Sequence, residues 1–174
     1  MLRKTVTVAA VVVALGAWSA TAALANKTNG TGKTNLGFTV GYNVQADLSG
    51  HFEYMPTFFD GTSHDIKCGQ TGNKPDYTSY METTTNDGFP KSIFDSTFCW
   101  DGNGQGQGTR YFVHVEAVDR GEPGINDSLC ITVKLYPGRD NPTPLIKDCG
   151  TIQKGNVQIH TDVHQTIVDS GLPA

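Results

Sequence analysis

The chain has 174 residues, with 13 Lys and Arg against 17 Asp and Glu, for a net charge of −4 with neutral histidines. A mild acidic balance without a cluster of basic residues argues against nucleic acid and anionic membrane surfaces as partners. Four cysteines and 20 glycines point to a turn-rich domain held by disulfides.

The first element in chain order is a secretory signal. Arg3 and Lys4 form a positive start, "VTVAAVVVALGAW" is a short apolar run, and Ala23, Leu24 and Ala25 make an A-x-A cleavage site. The run is shorter than the roughly 20 residues a spanning helix needs. Cleavage of residues 1–25 is therefore expected, giving an exported chain without membrane insertion. It leaves 11 Lys and Arg against 17 Asp and Glu, and enough residues for one domain.

Residues 26–35, "NKTNGTGKTN", are polar and rich in Gly, Asn and Thr, and are expected to form a flexible leader. "GTGKT" is not a phosphate-binding loop, because that motif needs glycine where Lys27 stands and a buried strand before it. Asn26, Asn29 and Asn126 head N-x-S/T sequons, which matter only in a eukaryotic secretory pathway.

From residue 36 to 160 the pattern has a period of two, as a strand with one buried face requires. Phe38, Val40, Tyr42 and Val44 alternate with polar or small residues, followed by Phe52 and Tyr54 in "GHFEYMP". Tyr111, Val113, Val115 and Ala117 form another apolar series, and Leu129, Ile131, Val133 and Leu135 a further one. "GNVQIH" predicts a last strand before a C-terminal tail at 161–174. Residues 69–95 predict long loops around one or two short strands. No stretch keeps a helical period over three turns. The expected fold is an all-β, antiparallel, Ig-like β-sandwich of seven or eight strands.

Even cysteine numbers in an exported chain favour disulfides over free thiols, and no C-x-x-C pair suggests zinc. A hairpin that sets Cys130 opposite Cys149 leaves the turn-rich "YPGRDNPT" at its tip, so these two are expected to pair, and Cys68 then takes Cys99.

Candidate chemistry centres on the loop in "VEAVDRGEPGINDSLCITV". Asp119, Glu122 and Asp127 put three carboxylates between two strands, and with Asn126 and backbone carbonyls they could start a calcium site. The competing role is a turn in which Asp119 and Asp127 accept loop amides while Glu122 is solvated. EF-hand spacing is absent. Cadherin repeats share a similar Asp-Arg-Gly-x-Pro loop, but their LDRE-like and DxNDN motifs are missing.

No H-E-x-x-H or G-x-S-x-G motif marks an enzyme, and His160 and His164 fit a plain surface pair. A small secreted hydrolase or carbohydrate-active domain using loop carboxylates is the alternative. Phe58, Phe59, Tyr77 and Tyr80 lie in or near loops, where rings can stack on sugars or fill partner pockets. Trp100, beside Cys99, is expected to pack over the disulfide in the core.

The C-terminal half resembles the post-COAP family of exported bacterial β-domains. Asp119, Gly121, Glu122, Pro123, Gly124 and Asp127 match its Asp-x-Gly-Glu-Pro-Gly-x-x-Asp loop. Gly155, Asn156, Gln158, Ile159 and His160 match its closing Gly-Gly-Asn-Ile-Gln-Ile-His strand, with Lys154 in place of the first glycine. The resemblance implies an extracellular or periplasmic module without an established reaction. Together the sequence predicts a non-catalytic, monomeric interaction or structural module, possible calcium as its one cofactor, and a protein or glycan as partner.

Overall fold

The computed structural model describes residues 26–59, 61–69, 77–102, 110–124, 126–136 and 143–160. The signal segment, the C-terminal tail with His164, and most of "YPGRDNPT" lie outside the described residues. Ten strands, all antiparallel, run in order as β1 (Lys27–Lys33), β2 (Thr39–Gln45), β3 (Gly50–Met55), β4 (Ile66–Cys68), β5 (Ser79–Thr84), β6 (Pro90–Asp101), β7 (Arg110–Val118), β8 (Ser128–Leu135), β9 (Ile146–Thr151) and β10 (Lys154–His160). No helix occurs among the described residues.

The strands make one sheet in the order β10-β1-β2-β3-β4-β6-β7-β8-β9, with β5 paired to the first half of β6. Instead of the seven or eight strands of two stacked layers that were expected, a single sheet curls over itself. The curl shows in contacts between strands remote in the order. Tyr54 on β3 donates its hydroxyl hydrogen bond to Asp148 Oδ2 on β9 at 3.0 Å, and Tyr42 on β2 packs its ring 5.5 Å from Phe94 on β6. The period-two series line the inner side, where Val44, Tyr54, Ile66, Val115, Ile131, Val133 and Val157 are wholly buried. Phe52, Tyr77 and Phe94 fill the centre edge to face.

The expected leader is a strand. β1 pairs with β10 on one side and β2 on the other over its whole length, so the domain begins at Lys27 rather than at residue 36. Its inward positions are Thr28, Gly30 and Gly32, where the Tyr42 ring fills the space over Gly30 and the β10 backbone closes on Gly32. A Cβ on Gly30 would lie 2.6 Å from the Tyr42 ring. Within residues 69–95 the expected short strands are β5 and the start of β6, joined as a hairpin closed at Thr85–Phe89, while 70–76 lie outside the described residues.

Both disulfides pair as expected. Cys68–Cys99 joins β4 to β6 inside the core, and Cys130–Cys149 joins β8 to β9 on the outer side. Each closes a loop worth about 3–4 kcal/mol in the chain-entropy picture. No helix is long and apolar enough to cross a membrane among the described residues.

Candidate functional site

The strands at the two ends of the sheet order, β10 and β9, are consecutive in the chain, and the β7–β8 loop spans the space between them. β10 gives one side to β1, so the amides of Val157 and Ile159 face away with no strand to receive them. The loop acids take their place. Asp127 accepts from Val157 N and Arg120 N, both at 2.7 Å, while Asp119 accepts from Ile159 N at 3.1 Å and Gly121 N at 2.9 Å. Glu122 accepts from Asn156 Nδ2 at 2.6 Å and Gln158 Nε2 at 3.3 Å. Gly124, at φ +77°, lies where a Cβ would come 2.4 Å from Asn156 Oδ1, so the strand can seat against the turn.

The three carboxylates thus act as a side-chain substitute for a missing strand. Asp119 and Asp127 take the turn role, accepting loop and strand amides, while Glu122 is exposed and bonded to two β10 side chains. The acids point at successive donors along β10 rather than at one centre, and no three His, Cys, Asp or Glu side chains are grouped to hold a metal among the described residues. Burial pushes the Asp127 carboxyl above its ordinary value, against the pull of its two amides.

A second polar cluster lies on the outer face of β5, β6 and β7. His114 Nδ1 meets Asp95 Oδ1 at 2.7 Å and its Nε2 meets Glu116 Oε1 at 3.2 Å, while Glu116 pairs with Lys91 and Ser79 donates to Asp95 at 2.7 Å. The hydrogen bond that the ring donates to Asp95 holds the imidazole above its ordinary value of 6.5. A raised value means that the folded state favours the charged ring. The stabilisation is therefore complete below about pH 6.5 and lost as pH rises through the higher folded value. Thermal unfolding is expected to show stability falling across that interval, with a flatter slope in His114→Gln; equal slopes would remove His114 as the cause.

The buried Asp101 meets His64 Nδ1 at 2.6 Å, and His64 stacks on Phe58 with centroids 4.0 Å apart. This is the geometry that orients an imidazole as a base, yet among the described residues the buried His64 Nε2 has no hydrogen-bond partner. No motif marks the pair in the sequence; the segment before β4, held by the His64 N to Pro56 O bond, brings His64 to Asp101 at the end of β6.

The expected loop aromatics divide. Tyr77 is buried against Phe94, Tyr80 is half-buried with its hydroxyl on Glu82, and Phe58 packs against Tyr111. Trp100 does not pack in the core over its neighbouring disulfide. Cys99 faces inward, so the strand's alternation turns Trp100 to the outer face, half-buried, between the register positions of Lys67 and Arg110. Phe59, at the turn after Thr57, is 96% exposed. It stands on the rim of an apolar cleft of about 210 Å³ lined by Leu36, Phe38, Phe58 and Leu145.

His160 ends β10 in solvent. Comparison with known proteins finds no matching family model, curated protein or solved structure.

Proposed function

We infer that the chain is a secreted, non-catalytic β-module that binds a partner outside the cytoplasm, and that it belongs with the post-COAP family of exported bacterial β-domains. The observation carrying the binding role is Phe59. Leaving a phenyl ring in water forgoes about 1.5–3 kcal/mol of burial, and here the ring borders a mainly apolar cleft with Thr57 and Lys147 as its polar walls. A protein partner that brings one aromatic or aliphatic side chain to the cleft would cover both.

Two disulfides fit an oxidising, non-cytoplasmic compartment. Support for the family comes from the two motifs behind the resemblance, since the acidic loop and the closing strand are bonded to each other as one structural unit. A secreted hydrolase using loop carboxylates has less to draw on, because Asp119, Glu122 and Asp127 are spent on β10. The His64–Asp101 pair is the one arrangement that favours it.

Immobilised residues 26–174 are expected to retain a defined secreted protein that the Phe59→Asp variant loses, read by quantitative mass spectrometry. Identical captured sets from the two chains would overturn the role of the cleft.

A further inference from the structure

On the outer face of β10, β1, β2 and β3, away from the Phe59 cleft, lies a shallow open groove of about 520 Å³. Its sides are Thr31, Lys33, Thr39, Glu53, Met55 and Lys154. Its floor is bare backbone at Gly41, whose missing side chain would meet nothing within 4 Å. Lys33 and Lys154 are direct cross-strand partners and both are exposed.

Like charges directly opposite one another on neighbouring strands destabilise a sheet. Lys33 donates to Thr39 Oγ1 at 2.8 Å, which does nothing to neutralise the pair. The chain as a whole is acidic, with a net charge of −4. Two lysines opposite one another on such a chain make a local basic site, and an anion seated between their ammonium groups would relieve their repulsion.

The rest of the face says what carries the anion. From Gly41 the register runs across β3, β4 and β6 through Glu53 and Lys67 to Trp100, and then to Arg110 on β7. At about 4.8 Å per strand, Gly41 and Trp100 are about 14 Å apart along the sheet, the reach of a short linear oligosaccharide. Hydroxyls at Thr31 and Thr39 and the carboxylate of Glu53 supply donors and acceptors for sugar hydroxyls. The flat floor admits a ring face, and Trp100 offers an apolar face farther along. Lys67, already paired with Glu53 and Asp65, fixes the middle of the row.

We propose that this face binds a linear acidic polysaccharide, with a uronate carboxylate between Lys33 and Lys154 and its sugar ring over Gly41. Charge complementarity selects the occupant. A neutral glycan leaves the lysine pair unrelieved.

The test is titration calorimetry of residues 26–174 with polygalacturonate and with alginate, using fully methyl-esterified polygalacturonate and duplex DNA as controls. Binding of at least one uronate polymer is expected, with none to the esterified polymer. Lys154→Gln should weaken it about tenfold, the worth of one charge-assisted contact. Gly41→Phe should abolish it by filling the groove from an open position, with melting temperature verifying that the variant is folded. The proposal is overturned by no binding to either uronate polymer, by binding that survives Gly41→Phe, or by equal binding of DNA. The Phe59→Asp variant should bind uronate normally, so failure here and failure of the apolar cleft are separate results.

Discussion

Replacing Asp127 with alanine is expected to lower the melting temperature by on the order of 10 °C. The carboxylate is the acceptor for two backbone amides, Arg120 N and Val157 N, and the residue is fully buried. Each donor left without an acceptor in a buried site costs about 1–3 kcal/mol, and a domain of this size loses about 2–4 °C per kcal/mol. Asp127→Asn retains one acceptor and should fall between the two. Glu122→Gln should change little, because its partners Asn156 and Gln158 are side chains on the exposed side of β10. Because the acids serve β10 rather than a cation, excess EDTA and millimolar calcium should give the same unfolding midpoint. A calcium-dependent rise that vanished in Asp119→Ala would instead restore a metal role for the loop.

Gly155→Ala is expected to cost about 3 kcal/mol or more and to reduce the yield of folded protein sharply. The backbone there has φ +129°, and an added Cβ would sit 1.9 Å from the Thr31 carbonyl oxygen. That oxygen belongs to a paired strand and cannot swing aside as a flexible side chain could. Relief requires β1 and β10 to separate, which also withdraws Val157 and Ile159 from their acids. Gly41→Ala is the matched control, since its Cβ enters open space and alanine loses less chain entropy than glycine within a strand, so its midpoint should hold or rise slightly. Chemical denaturation of both variants checks this. A wild-type midpoint for Gly155→Ala would be incompatible with the β1–β10 register.

These two effects converge on one structural fact. The Asp-x-Gly-Glu-Pro-Gly-x-x-Asp loop and the Gly-Asn-x-Gln-Ile-His strand lie about 30 positions apart, and each supplies what the other lacks. The loop has acceptors without donors enough of its own, and β10 has an uncovered row of amides. An edge strand with such a row is a template for unwanted pairing, and capping it with carboxylates removes that hazard. The turn glycines also find their reason here, because Gly124 leaves room for Asn156.

The amino-acid sequence by itself determined the all-β class, the strands β2, β3, β7, β8 and β10, and the two cysteine pairs. Burial on one side of a pleated strand writes a period of two into the chain, and an even set of cysteines in an exported domain seeks partners. It could not reveal β1, whose inward positions are Thr28, Gly30 and Gly32, because other strands fill that space, the Tyr42 ring over Gly30 and the β10 backbone at Gly32. Trp100 was readable in principle, since an inward Cys99 forces its neighbour outward, but nearness to the disulfide suggested the core.

Tertiary structure alone decided the curl into one continuous sheet, the destination of the loop acids, and the meeting of Lys33 with Lys154 and of His64 with Asp101. Alternation says which face a side chain occupies, whereas register and closure say whom it faces. Those depend on pairings between segments far apart in the chain, which no local pattern encodes.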